Sequence, residues 1–365
     1  MKLRRWLPAL LAATVLAPVI PVTEARAATP CDGWTMKTLF SGLGILEYVL
    51  PDGKGGLLLS SSQNNALERI TRDGTLTTFK ANVNAPGAMV MRGNTLYVTT
   101  GDSAQSGLTN TADGTVMRVD MTTDQATTYA SGLVMPNGMT FSAAGDAYIS
   151  RDLGTSAQLV RVRQSDPAHP DQTWANLGDS NGVRVDPSQT WLYVSTTFNQ
   201  PAEVDRVRLS NPADIEPVAS LANTGNALPK GLDDMTADAL GNLYIAANGS
   251  GEVLRLDPLT GASCQLASGL QNPSAVEFGS GPGWPADHLF VSGFDGTVRE
   301  LTPPAATTSP QPTATNSPVA PTGGGRALPG TLRAAQPTAI TLLVLGLLAL
   351  PLGFGWWWRR RRHAA

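Results

Sequence analysis

Four short segments of the 365-residue chain place oxygen-bearing side chains just ahead of apolar runs: Glu47, Asn137 in Pro136-Asn137-Gly138, Asn181 in Ser180-Asn181-Gly182, and Asp233 in Gly231-Leu232-Asp233-Asp234-Met235. Carboxylates and side-chain amides without His or Cys are hard-oxygen donors, suited to Ca²⁺ or another divalent cation and less well to Zn²⁺. Glu47, Asp233 and Asp234 together would repel one another unless a cation lay between them. Taken singly, Asn-Gly and Asp-rich segments are ordinary turn chemistry, because Asn and Gly tolerate positive φ. The metal reading therefore depends on whether the fold brings the four segments to one place. No Ser-His-Asp order, phosphate loop or CxxC pair offers a rival chemistry.

The elements that would position these residues are visible as an internal repeat. A short apolar run recurs as Leu57-Leu58-Leu59, Leu96-Tyr97-Val98, Ala147-Tyr148-Ile149, Leu192-Tyr193-Val194, Leu243-Tyr244-Ile245 and Leu289-Phe290-Val291, at intervals of 39 to 51 residues. Apolar, β-branched and aromatic content between turn residues marks buried strands. Each is followed by a second strand of alternating polarity, such as Thr115 to Val119 or Glu252 to Leu256, then a turn and an outer strand. Each is preceded by a further apolar strand such as Gly182-Val183-Arg184-Val185. Four strands at this period make a propeller blade. The sixth unit ends at Leu301 one strand short, and Trp34 to Phe40 supplies a strand with no unit of its own. The expected fold is all-β: a six-bladed β-propeller closed by pairing that N-terminal strand with the last blade, with a pair of β-sandwiches as the competing architecture. In such a ring, the segments leading into the innermost strands meet at one mouth of the central channel. Glu47, Asn137, Asn181 and Asp233 all occupy that position. Blade two offers Asn84 in Asn84-Ala85-Pro86-Gly87.

From about Leu43 to Leu301 these residues resemble the family of six-bladed propellers that contains gluconolactonase, senescence marker protein and luciferin-regenerating enzyme, with the paraoxonases more distant. The resemblance implies a divalent ion in the channel, held by a Glu of the first blade, Asn residues of middle blades and an Asp of the fifth, positions matched by Glu47, Asn137, Asn181 and Asp233. It also implies hydrolysis of lactones or related esters, with Asp233 or Asp234 assisting a water as general base and Asp234 as an additional ligand. Asn84 and Arg151 are the candidate substrate contacts; a salt bridge of Arg151 with Asp152 or another acid is the competing role. Two departures stand out. Glu47 is followed by Tyr48-Val49 where the lactonases have Gly-Pro, and none of His169, His288 and His363 is placed to serve as the paraoxonase-like base. The alternatives are a non-enzymatic propeller for binding or surface display, its cation serving as a structural staple, and strictosidine-synthase-like chemistry on the same ring.

Composition and the chain ends bound where such a molecule works. The two ends, 1–27 and 304–365, hold ten of the 26 basic residues and one of the 29 acidic ones, so the body 28–303 carries a net charge of −12. That charge excludes a nucleic-acid binder and favours cations. Residues 1–27 read as a signal peptide, with Lys2, Arg4 and Arg5 before an apolar run and Ala25-Arg26-Ala27 at its end; an uncleaved anchor is the other reading. Residues 304–338 form a Pro/Thr/Ser-rich stalk. Residues 339–358 are twenty without a charge, enough for a transmembrane helix, and the tail 359–365 carries Arg359 to Arg362 on the cytoplasmic side. The expected location is thus the cell surface, with the propeller outside. Leu328-Pro329-Gly330-Thr331-Leu332 resembles a sortase signal with Leu332 in place of the final Gly, so sortase is a partner and the cell wall a destination only if that site is cut. In an exported chain, Cys31 and Cys264 suggest one bridge.

Overall fold

The computed structural model describes residues 28–154, 158–222 and 229–305. The expected signal peptide, sorting-like motif, transmembrane helix and basic tail lie outside the described residues, as does the stalk beyond residue 305. Among the described residues, no helix is long and apolar enough to cross a membrane.

Six antiparallel sheets follow one another along the chain. Blade one is Leu46–Pro51, Gly56–Ser61, Ala66–Thr71 and Leu76–Ala81; blade two is Pro86–Arg92, Thr95–Thr100, Gly114–Asp120 and Ala126–Leu133. Blade three is Met139–Phe141, Ala147–Ile149, Leu159–Arg163 and Asp166–Ala175; blade four is Ser180–Val185, Trp191–Thr196, Ala202–Arg208 and Asn211–Leu221. Blade five is Leu232–Ala237, Leu243–Ala247, Glu252–Leu256 and Ser263–Ala267. Blade six is Pro273–Phe278, Leu289–Gly293 and Val298–Thr302, completed by Thr35–Phe40 from the chain start, which pairs antiparallel with Val298–Thr302. Closure by the N-terminal strand leaves no open edge between the first and last blades.

The core lies between blades. Leu57, Leu58 and Leu59 have no exposure, because a neighbouring blade covers each face of their sheet. That explains why the second strand of each unit reads as continuously apolar while the outer strands alternate. Aromatic pairs such as Tyr148 with Trp174 and Tyr244 with Phe278, with ring centroids 4.7 and 5.0 Å apart, fill the space between sheets.

The expected bridge of Cys31 to Cys264 forms, and two features go beyond the sequence reading, a fifth strand in blade five and a short helix in blade two. Blade five gains a fifth strand, Thr29–Pro30, parallel to Ser263–Ala267, and beside it Cys31 is joined to Cys264 with Cα atoms 5.1 Å apart. The chain start is thus tied to two blades at once. The loop between Thr95–Thr100 and Gly114–Asp120 carries a short helix, Ala104–Thr109, capped by the Ser103 side chain.

Candidate functional site

The innermost strands open on a repeated irregularity. In five of the six blades the pairing with the second strand slips near its start: between Leu46 and Tyr48, Pro86 and Met89, Ser180 and Val183, Leu232 and Met235, and Pro273 and Ala275. A bulge leaves its extra residue unpaired and re-aims it out of the sheet. Glu47, Asn181, Asp233 and Asp234 are the bulged residues of blades one, four and five. In blade three the Asn137 N–H donates to the Ser150 carbonyl and the Ser150 N–H to the Gly138 carbonyl, which brings Asn137 to the same level. The four sequence-predicted ligands therefore converge. Gly138 and Gly182 follow the two Asn because neighbouring bulges press against them. A Cβ at Gly138 would lie 2.5 Å from the Asn181 carbonyl oxygen, and one at Gly182 would lie 2.6 Å from that of Asp233.

A belt of hydroxyls fixes these backbones. Ser60 Oγ donates to the Gly87 carbonyl at 2.6 Å, Thr99 Oγ1 to that of Asn137 at 2.9 Å, Ser195 Oγ to that of Asp233 at 2.8 Å and Ser274 Oγ to that of Leu46 at 2.8 Å. Each bond joins one blade to the next. Ser60, Thr99 and Ser195 stand at the position after the apolar triplet in their repeats, a signal present in the sequence and not read there.

The mouth holds more acid than the innermost strands supply. Asp102 and Asp152 leave the second strands of blades two and three, and their carboxyls interact with those of Glu47 and Asp233. Burial, then repulsion by Asp234 and Asp152, pushes the Glu47 carboxyl up to about 8. Burial raises Asp152 to about 7, partly offset by its own and Leu153 N–H groups and by Arg151. Asp234 also rises to about 7 through burial, with Arg184 pulling down and Glu277 pushing up. Asp102 and Asp233 are raised well above the usual range, first by burial and then by Glu47 and the other acids. The sequence reading missed Asp102 and Asp152 because it considered only the segments leading into innermost strands. Loops leaving the second strands reach the same mouth.

Orphaned atoms show what this arrangement lacks. Asp102 Oδ1, Asn137 Oδ1, Asp152 Oδ1, Asn181 Oδ1 and Asp234 Oδ2 are buried without a hydrogen-bond partner among the described residues, and all five are acceptors. The Asn181 amide is held in register: its Nδ2 donates to Thr197 Oγ1 at 3.0 Å while that hydroxyl donates to the Leu232 carbonyl, so Oδ1 is the free end. Asn248 Nδ2 donates to Asp233 Oδ2 at 3.2 Å. Unpaired buried acceptors beside crowded carboxyls are costly without a positive partner. Among the described residues, no three His, Cys, Asp or Glu side chains form a metal cluster by themselves. The two amide oxygens complete the donor set, and that set fits a hard cation.

The other named residues sit elsewhere. Asn84 is exposed, and its carbonyl accepts from the Gly101 N–H. Arg151 is buried, its guanidinium bonded to the Leu153 and Gly107 carbonyls and to Asn110 Oδ1. The expected salt bridge with an acid does not form among the described residues. His169 is on the exposed outer strand of blade three beside Asp166, and His288 is bonded to Glu300, so neither reaches the channel.

A closed six-bladed ring with an acid-lined, oxygen-rich mouth defines the class of protein. Residues 144–293, from within blade three to the second strand of blade six, match the family model described as SMP-30/Gluconolactonase/LRE-like region. The chain resembles that family in fold. Among solved structures it is similar to a gluconolactonase from Xanthomonas campestris, at 17% identity and TM-score 0.57, covering 78% of this chain and 99% of that one. It is also similar to regucalcin from Agrobacterium tumefaciens, described as a calcium-binding protein, at 18% identity and TM-score 0.57, covering 76% and 95%. A luciferin-regenerating enzyme matches at 12% identity and TM-score 0.54, covering 74% and 95%. At these identities the likeness is one of fold. No curated protein matches the sequence.

Proposed function

We propose that this protein is an exported, surface-anchored hydrolase of lactones or related esters that depends on a divalent cation, Ca²⁺ best matching its donors. The observation that carries the reading is the set of five acceptor oxygens, partnerless among the described residues, amid mutually repelling carboxyls at one channel mouth. Glu47, Asn137, Asn181 and Asp233 would hold the ion, with Asp234 as a further ligand or as the base. The ion, when bound, would polarise the ester carbonyl and stabilise the developing oxyanion.

The remaining chemistry belongs to the chain. A carboxyl pushed to about 7, as at Asp234, accepts a proton from water near neutral pH. The water oxygen adds to the carbonyl carbon, the bond to the ring or ester oxygen breaks, and that oxygen takes the proton back from Asp234. The product is a hydroxy acid. Export is supported by the Cys31–Cys264 bridge, which persists in oxidising compartments. Anchoring rests on the charge-free run 339–358 and the arginines after it.

The test is metal content and melting temperature of the purified chain, with a lactone screen alongside. The reading expects bound Ca²⁺, a melting point that drops by about 5–10 °C in chelator, and loss of both metal and hydrolysis in Asp233→Ala. A metal-free protein indifferent to chelator would overturn it. Bound metal with no hydrolysis of any lactone or ester would leave the binding or display propeller, its cation a staple.

A further inference from the structure

Two arginines of the propeller are less than a tenth exposed, Arg151 at 6% and Arg299 at 8%. Arg299 is paired with Asp295 at 2.5 Å. Arg151 is not paired with any carboxylate among the described residues. Its Nε donates to the Leu153 carbonyl at 2.7 Å, and its Nη2 to Asn110 Oδ1 at 2.7 Å and the Gly107 carbonyl at 3.3 Å. These neutral acceptors leave both Nη1 protons untaken by described residues. The guanidinium is also fixed from behind. A Cβ at Gly154, where φ is +114°, would fall 2.1 Å from Nη2, so only glycine lets that loop close over it. Asp152 acts on this cation only through space, with no carboxylate bonded to it among the described residues; a buried cation without a bonded counter-ion is destabilising, and here one is held rigidly in place.

Arg151 faces a pocket of about 280 Å³ between blades two and three, lined also by Asn110, Ala112, Gln158, Gln172 and Thr173. Gln172 is held by donating from Nε2 to the Gly132 carbonyl at 3.0 Å, while Gln158 Oε1 is a buried acceptor with no partner among the described residues. The pocket therefore offers one unpaired cationic edge and one unpaired acceptor. We propose that it binds the carboxylate of a small hydroxy acid, the carboxylate on Arg151 Nη1 and the hydroxyl donating to Gln158 Oε1. Its volume sits at the small end of ligand sites. The acids of the nearby channel mouth, Asp152 next in sequence among them, favour a monoanion over a phosphate dianion. The proposal stands whether or not the channel hydrolyses anything.

The probes are lactate, its neutral amide lactamide, propionate and inorganic phosphate, titrated calorimetrically into the full chain in chelator, so that an ion in the channel takes no part. Lactate binds saturably and raises the melting temperature, lactamide does not, and phosphate binds at least about tenfold more weakly. Arg151→Gln weakens lactate at least about tenfold. Because that side chain also ties the Ala104–Thr109 helix to blade three, Ala112→Glu is the second variant: a carboxylate supplied from the pocket wall should raise the melting temperature and abolish lactate binding. Gln158→Leu should reduce lactate to the affinity of propionate. Equal binding of lactate and lactamide, tighter binding of phosphate, lactate binding that needs Ca²⁺, or lactate binding unchanged in Ala112→Glu would each overturn the proposal. Loss of hydrolysis in Asp233→Ala with lactate binding retained separates this pocket from the channel reading.

Discussion

Glu277 collects three donors from three other blades. Tyr48 Oη and Arg184 Nη2 reach its Oε1 at 2.8 and 2.5 Å, and Thr236 Oγ1 reaches its Oε2 at 2.8 Å. Arg184 also donates to the Met235 carbonyl at 2.7 Å, one residue after Asp234, whose carboxyl it helps hold down. The pairing thus bridges blades one, four, five and six and supplies a positive charge to the channel acids. Glu277→Leu leaves Arg184 without its carboxylate and should destabilise by about 3 kcal/mol. Tyr48→Phe removes one bond of a shared acceptor and should cost about 1 kcal/mol. Urea unfolding of the two variants measures both; equal costs would mean that Arg184 finds a substitute partner.

At the level of elements, the bulges and the hydroxyl belt act together: the bulge turns a proposed ligand out of the sheet and the hydroxyl holds its carbonyl. Ser195→Ala frees the Asp233 carbonyl and should cost about 1–2 kcal/mol. It should also weaken Ca²⁺ binding several-fold by calorimetry, whereas Ser60→Ala, which releases the Gly87 carbonyl on an innermost strand that supplies none of the proposed ligands, should cost similar stability and leave Ca²⁺ affinity intact. Why some of this was legible in sequence follows from the same elements. The second strands are covered on both faces and so must be apolar throughout, which made the repeat and its count of six readable. The expected ligands Asn181 and Asp233 shared a phase relative to those strands, so the fold alone brought them together. Asp102 and Asp152 had no such phase mark, because the loops that carry them differ in length and one contains a helix. The Arg184–Glu277 pairing joins innermost strands of blades four and six, residues 93 apart, and each alone reads as a polar residue in an alternating strand. Arg151 was legible as a residue type and not as a buried one, since its burial comes from the helix Ala104–Thr109 and the Gly154 turn.

For the molecule as a whole, charge sets the pH response. Glu47, at about 8, and Asp152, Asp179, Asp205 and Asp234, at about 7, are all raised, burial being the largest cause in each. A carboxyl whose folded pKa lies above its unfolded value of about 4 binds more protons in the folded state. The stability it contributes is complete below about pH 4 and is lost as pH rises through 7 to 8. Asp73, Asp120 and Asp257 have the opposite sign, lowered chiefly by the Thr71 hydroxyl, the Thr122 N–H and the Thr260 hydroxyl respectively. Their contribution is present above about pH 4 and fades below it. In chelator the melting temperature should therefore peak between about pH 4 and 6 and decline toward pH 8. Millimolar Ca²⁺ should leave the acid side unchanged and lift the alkaline side, because the ion binds the ionised carboxylates. Since Asp205 and Asp179 are not among the expected ligands, part of the decline should survive in Ca²⁺, and Asp205→Asn should remove a share of it. A chelated protein whose melting temperature is flat from pH 5 to 8 would mean that these carboxyls are not held protonated in the folded ring.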